Sequence, residues 1–241
     1  GTDTDANAPA VLTMSGGGAC VVLCGDTARP LAVHAEEESI IERNRERYIN
    51  LMGEDLPPAF HTKIRNAEAC YASSSRVVEL ADKMGVRLHV LHVSTERELS
   101  LFATGRPLTE KKITAEVCVH HLWFTDADYA AYGNRIKWNP SIKSFDDREA
   151  LRHALLTGAI DIVATDHAPH LPAEKEGSCL TAASGGPMVQ HTLVAMLELA
   201  ARGVVTREQV VQKMAHNPAD LFHIDRRGYT RPGHYGELRR A

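Results

Sequence analysis

AIDIVATDHAPH, at residues 159–170, is the stretch that indicates the fold class most clearly. It begins as a nearly continuous apolar run, which ends at Asp166 and is followed by a loop containing two histidines. Apolar runs of this kind are typical of parallel strands that are covered on both faces. The carboxyl ends of such strands are where α/β proteins place their functional side chains. We therefore expect a strand at the start of this stretch and a site at its end.

Three stretches upstream have the same form: LAVHA, VRLHVLHVS and KKITAEVCV. Segments with helical periodicity separate them, and strand–helix alternation predicts a parallel sheet with right-handed crossovers. The expected strands are residues 31–35, 86–93, 112–119 and 159–165. A closed (β/α)8 barrel needs about eight strands. The fold class is therefore α/β, with either about half of a parallel (β/α) barrel or a smaller open sheet in this chain.

The composition excludes several classes of protein. The chain has 241 residues, a net charge of −4 and no basic block before RRGYTR at 226–231, so nucleic acid is not an expected partner. Its apolar runs are too short to span a membrane, and the acidic start GTDTDANAPA is unlike a signal peptide. Five scattered cysteines argue against a disulfide framework and for a reducing compartment. We expect a cytoplasmic protein that binds neither membranes nor nucleic acid.

Metal-capable side chains end three of the expected strands: His34, His92 and Asp166. A single histidine could simply cap its strand by bonding a carbonyl group, but three such residues at strand ends favour a shared site. Imidazole and carboxylate groups suit zinc, and water bound to a catalytic zinc ionises near neutral pH. Asp166 could both bind the metal and act as general base toward that water.

TDHAPH at 165–170 is the most specific of a series of motifs. The others are VHAEEE at 33–38, LHVST at 91–95, AEVCVHHL at 115–122, KWNPSIK at 137–143, EKEGSCLTAASGGP at 174–187 and NPADLFHIDRRGYTRPGHYGEL at 217–238. In content, order and spacing the series resembles the dihydroorotases of the cyclic amidohydrolase superfamily. The resemblance covers about residues 30–241.

The resemblance implies a (β/α)8 barrel, a two-zinc site and the reversible cyclisation of N-carbamoyl-L-aspartate to dihydroorotate in de novo pyrimidine biosynthesis. By position, His34 and His92 would bind the second metal. Asp166 would bind the first metal and serve as the catalytic base or acid. The substrate would contact Asn139, His170 and the backbone near Gly186.

Other polar residues of these strands are expected to have supporting roles. We predict that His120 and His121 lie behind the site and that Glu116 supports it in the same way. His89 is three residues from His92, so strand alternation predicts that it faces away from the site and packs against helices.

Parts of the family's metal site have no counterpart in the sequence. There is no His-x-His pair, and the first lysine, Lys63, comes too late to bridge two metals as a carboxylated lysine. Asp26 is a weak substitute for that bridge. We therefore expect residues 1–30 to be a divergent or truncated N-terminal segment and residues 31–241 to be the C-terminal half of the barrel.

Three functions fit these observations. The first is a dihydroorotase, and the second is a related cyclic amidase such as a hydantoinase or allantoinase. The third is an inactive or truncated homologue that acts as a non-catalytic partner, because the His-x-His pair and the bridging lysine are absent. A half barrel exposes sheet edges, so a homo-oligomer is also expected.

Overall fold

The computed structural model describes residues 11–13 and 30–236. Its centre is a parallel sheet with the strand order β1-β2-β3-β4-β5. The strands are β1 Val11–Thr13, β2 Leu31–His34, β3 Leu88–Val90, β4 Ile113–Cys118 and β5 Ile162–Ala164. Each strand pairs with its neighbours in chain order, so all carboxyl ends lie at one edge of the sheet. The parallel α/β class is confirmed.

Helices separate the strands, as strand–helix alternation predicts, although the short helices at 61–64, 119–123 and 129–132 lie in stretches that the sequence pattern indicates as loops. They are α1 Glu38–Met52, α2 His61–Ile64, α3 Ala67–Met84, α4 Val119–Trp123, α5 Tyr129–Tyr132, α6 Phe145–Thr157, α7 Thr192–Ala201, α8 Arg207–Val211 and α9 Asn217–Leu221. A π-helical turn over Gln212–His216 joins α8 to α9. No helix within residues 30–236 is long and apolar enough to cross a membrane.

Capping residues define the ends of the helices that cover the sheet. The side chain of Asn66 accepts a hydrogen bond from the backbone N of Ala69 at 3.0 Å, and Gly85 ends α3 in the left-handed conformation. Ser144 and Asp147 form a reciprocal capping box at the start of α6. Each cap satisfies backbone N–H or C=O groups that have no partner within the helix.

The sheet has one apolar face and one polar face. Leu88 and Val90 belong to the main core, where they pack with residues of α3 and α6. His89, between them, points to the opposite face. Its Nδ1 lies 2.9 Å from Oγ1 of Thr114, and its Nε2 lies 3.1 Å from Oε2 of Glu116. The polar face therefore carries a hydrogen-bonded layer below the strand ends.

The prediction that His89 packs against helices is wrong. Its ring meets the edge of Phe222, just after α9, but its two nitrogens bond across the sheet. Alternation fails because β3 ends at Val90 and the backbone of His92 is left-handed, with φ of 38°. The two-residue period of a strand cannot be extended through such a turn.

The N-terminal part differs from the prediction in one element. Val11–Thr13 is a fifth strand, paired with β2 through Val11 and Ala32. The sequence predicts only four strands, because a three-residue apolar run has too little periodicity to identify. The apolar stretch ACVVLC at 19–24, which is a plausible further strand from its sequence, lies outside the described residues. The other strands lie at their expected positions but are shorter, by up to three residues at one end.

Candidate metal and substrate site

Three side chains lie at the carboxyl ends of parallel strands. His34 is the last residue of β2, His92 lies two residues after β3, and Asp166 lies two residues after β5. In a parallel sheet these positions share one edge, which is the usual location of α/β active sites. The expected placement of the candidate ligands at that edge is present in the structure.

His34 and His92 come into direct contact. Nδ1 of His34 lies 2.9 Å from Nε2 of His92, and the two rings meet edge to face at a centroid distance of 4.7 Å. Nδ1 of His92 is buried and has no hydrogen-bond partner in the part of the chain that the structure describes. Burial, then the charge of His34, lowers the pKa of His92 to about 3, so this imidazole is neutral at physiological pH. Neutral imidazole is the form that binds metals.

Glu36 orients the ring of His34, a role that the sequence did not suggest. Its Oε2 lies 3.4 Å from Nε2 of His34 and accepts a hydrogen bond from Arg65 at 2.6 Å. Burial opposes ionisation of Glu36, but His34 and Arg65 outweigh it and lower its pKa to about 2. A carboxylate partner on one nitrogen, with the other nitrogen turned toward the metal, is the usual arrangement of a metal-binding histidine. The acidic run that follows His34 is the one sequence feature that could have indicated this role for Glu36.

The donor set at this edge fits a metal ion. Two imidazole nitrogens, Nδ1 of His34 and Nε2 of His92, lie 2.9 Å apart at the strand ends, and the carboxylate of Glu36 holds the ring of His34. A catalytic zinc commonly has three protein ligands, and this pair supplies two imidazoles. His34 and His92 are therefore the residues of this chain that would hold it.

Asp166 lies near His34 and His92, but the three side chains do not form a compact group of metal-binding atoms. Burial, then the charge of Glu116, raises the pKa of Asp166, while the charge of His34 lowers it. Among the described residues, three donor atoms lie within 4.8 Å of one another only in Cys118, His120 and His121. The structure thus brings two of the three expected ligands together and leaves Asp166 at a greater distance.

Two of the candidate ligands have uncommon backbone conformations. His92 has φ of 38° and Asp166 has φ of 44°, in the left-handed region that non-glycine residues rarely adopt. Such conformations cost about 1–3 kcal/mol each and cluster at functional sites. In both residues the left-handed turn comes just after the strand and sets the direction in which the side chain leaves the sheet.

The expected substrate residues occupy two places. His170 and Gly186 line a pocket of about 280 Å³ together with Arg135 and Lys175, and Asn139 is not among the residues that line it. The Oδ1 atom of Asn139 is buried and has no hydrogen-bond partner within residues 30–236. Nε2 of His170 lies 3.0 Å from the carbonyl oxygen of Ser184.

Two features hold the loop around Gly186. Any Cβ at Gly186 would overlap the ring of Trp138, so only glycine fits there. The Nζ atom of Lys175 donates to the carbonyl oxygens of Lys137, Ala183 and Gly185, at 3.1, 2.8 and 2.8 Å. Burial, then the charge of Lys137, lowers the pKa of Lys175 to about 8. Nothing in the sequence points to this lysine beyond its place in a long loop.

Comparison with known proteins gives a consistent family. The model of the amidohydrolase family matches residues 19–238. The chain is 37% identical to a dihydroorotase of Halobacterium salinarum over 174 residues, which are 72% of this chain and 40% of that protein. It is 33% identical to a dihydroorotase of Lactobacillus johnsonii over 213 residues, or 86% of this chain and 48% of that one. The chain therefore spans less than half the length of these relatives.

Solved structures show the same fold. The L-hydantoinase (dihydropyrimidinase) of Arthrobacter aurescens superposes with a TM-score of 0.77 and 25% identity, over 86% of this chain and 46% of that one. The dihydropyrimidinase of Brevibacillus agri gives a TM-score of 0.75 and 21% identity, over 84% of this chain and 45% of that one. These similarities support a partial amidohydrolase barrel.

Proposed function

The chain belongs to the amidohydrolase family, and we propose that within this family it carries the C-terminal half of a dihydroorotase. The reaction is the reversible cyclisation of N-carbamoyl-L-aspartate to dihydroorotate in pyrimidine biosynthesis. The observation that carries the proposal is the contact between His34 and His92 at the ends of β2 and β3, with Glu36 behind His34. The relatives named dihydroorotase, at 37% and 33% identity, favour this substrate over hydantoin.

Each proposed role rests on one chemical property. His34 and His92 would hold a zinc ion, which would supply a Lewis acid when bound. Hydrolysis of the ring breaks an amide C–N bond: water adds to the carbonyl carbon, and the departing nitrogen takes up a proton. Asp166 accepts the proton from the water and returns it to the nitrogen, a role that suits a carboxylate whose pKa is raised by burial. Asn139, His170 and the backbone at Gly186 bind the substrate.

A non-catalytic homologue is the second candidate. The absence of a His-x-His pair from these 241 residues, and of any lysine before Lys63, favours it, because the sequence then lacks donors for a two-zinc site. Such a homologue would keep the fold and the His34–His92 pair and would act by association with another chain.

The compartment and the assembly are part of the proposal. Cys70, Cys118 and Cys179 carry free thiols, which suits a reducing cytoplasm. β1 and β5 are the edges of the described sheet, and an uncovered edge pairs readily with another chain. We expect the 241-residue chain to self-associate.

A substrate panel tests the proposal. The chain is stripped with a chelator, reloaded with Zn²⁺ and incubated with dihydroorotate, hydantoin or allantoin. Ring opening of dihydroorotate is expected, and it should be lost in His34→Ala and retained in His153→Ala, since His153 is exposed. Opening of hydantoin or allantoin instead would identify a related amidase. Zinc bound through His34 without any turnover would identify the non-catalytic homologue.

A further inference from the structure

A second group of metal-capable side chains lies outside the site described above. Cys118 is the last residue of β4, and His120 and His121 lie in the first turn of α4. One donor atom from each of the three lies within 4.8 Å of the other two. All three side chains are buried, with fractional exposures of 0%, 0% and 3%. No residue of this group belongs to the proposed catalytic site.

Most of the imidazole nitrogens in this group have no hydrogen-bond partner among the described residues. Across residues 11–13 and 30–236, neither nitrogen of His120 has a hydrogen-bond partner, and Nδ1 of His121 has none. The ring of His120 stacks on Trp138 at a centroid distance of 4.3 Å and an interplanar angle of 7°, which holds the ring without satisfying its nitrogens. Cys118 has a free thiol. A buried polar group without a partner is destabilising, so several in one place require an explanation.

The tautomer of His121 leaves a lone pair directed into the group. Its Nε2 lies 3.0 Å from the carbonyl oxygen of Pro140. A carbonyl accepts only, so Nε2 carries the proton and Nδ1 of the neutral ring carries the lone pair. A histidine that donates one N–H to a carbonyl and offers the other nitrogen is the usual form of a metal ligand.

The chemistry of the donors selects the ion. One thiol and two imidazoles, without a carboxylate, suit a borderline-soft cation and do not suit Mg²⁺ or Ca²⁺, which take oxygen ligands. A water molecule would also need several polar partners, and a thiol is a weak one. Zn²⁺ takes sets of Cys and His ligands and is the cation that fits.

We infer that Cys118, His120 and His121 form a second, buried Zn²⁺ site, separate from the His34–His92 pair. Binding replaces the proton on Sγ of Cys118, which is released to solvent, while both imidazoles bind in the neutral form. No oxidation or reduction takes place. The inference does not depend on the proposed function and stands if the chain has no dihydroorotase activity.

Cobalt substitution tests this site directly. A thiolate bound to Co²⁺ gives a charge-transfer absorption in the near ultraviolet, and a site with only nitrogen and oxygen ligands does not. The metal-free chain titrated with Co²⁺ should develop this band, and Zn²⁺ should abolish it. Cys118→Ser should lose the band. Cys179→Ser, at another buried thiol, and His34→Ala, in the other site, should keep it.

Two results would overturn the inference: no charge-transfer band in the wild-type chain, or a band that survives Cys118→Ser. Circular dichroism shows whether the variant is folded. If it is not, X-ray absorption of the wild-type chain loaded with Zn²⁺ decides, because it needs no variant. The expected zinc environment includes sulfur and imidazole nitrogen, and an environment of nitrogen and oxygen alone would contradict the site.

Discussion

Nδ1 of His34 lies 2.9 Å from Nε2 of His92, although the two residues are 58 positions apart in the chain. The pairing of β2 with β3 brings the two strand ends together, and the left-handed turn at His92 directs its ring toward His34. The other nitrogen of His34 faces Glu36, whose second contact is Arg65. These contacts, which link His92, His34, Glu36 and Arg65, hold one side of the proposed metal site in place.

The carboxylate of Glu36 should strengthen metal binding through His34. Glu36→Gln keeps the shape but removes the charge that orients the ring, so the affinity for Zn²⁺ at this pair should fall by roughly 10–100-fold, the usual effect of such a partner. Competition with a chromophoric chelator measures it. Glu38→Gln is the matched control, since Glu38 is exposed and should leave the affinity unchanged. Equal affinities for the two variants would remove Glu36 from the site.

Acid should destabilise the chain through buried neutral histidines. Burial lowers the pKa of His61 from 6.5 to about 3, although a hydrogen bond to the backbone of Trp138 opposes this shift. The unfolded chain therefore binds a proton between these pH values that the native chain does not, and the free energy of unfolding falls as pH drops from 6.5 toward 3. At about pH 4.5 the loss from one such histidine is about 2–3 kcal/mol.

Urea unfolding at neutral pH and at about pH 4.5 measures this loss. His61→Gln has no titrating ring, so it should lose less stability over that interval than the wild type, by about 2–3 kcal/mol. His153→Gln, at an exposed position, should show the wild-type dependence. The same dependence in all three chains would show that His61 is not held neutral.

The close approach of Gly186 to Trp138 predicts sensitivity to a single methyl group. Gly186→Ala would push against the indole ring and should destabilise the native state by about 1–3 kcal/mol, the usual cost of overpacking. Denaturant unfolding measures the change. Gly236→Ala has open space around the added Cβ and should change the stability little. If Gly186→Ala leaves the free energy of unfolding unchanged, the loop can move away from Trp138 without loss of stability.

Asp166 and His170 should affect different kinetic constants. In the active form of the enzyme, Asp166→Asn should lower kcat by roughly 10²–10⁴, because the basic carboxylate is lost. His170→Ala should raise KM while kcat and the zinc content hold, if its contact is equal in the ground and transition states. Steady-state kinetics with metal analysis separates the two. Zinc loss in His170→Ala, or near-normal kcat in Asp166→Asn, would reverse these roles.

Much of the fold follows from local pattern. Apolar runs that end in His34 and Asp166 indicate parallel strands, and β2 and β5 lie in these runs. β1 is not predictable in this way because three apolar residues are too few to show a period. A strand or helix depends on residues that are neighbours in the chain, so its sequence pattern can be recognised when the element is long enough.

The contacts of the site are less accessible to sequence reasoning. Glu36 and Lys175 act on groups that are distant in the chain or on backbone carbonyls, and no spacing rule reports such contacts. The prediction for His89 fails because alternation does not continue through the turn at His92. The roles of Asn139 and His170 remain predictions drawn from the family resemblance.

Zinc content after dialysis is the decisive measurement for the His34–His92 pair. If the two residues hold one ion between them, His34→Ala should contain about one zinc per chain less than the wild type, whatever the occupancy of the Cys118 group. His153→Ala should contain as much as the wild type. Equal zinc in all three chains, measured by mass spectrometry of the metal on folded protein, would show that this pair is not a metal site.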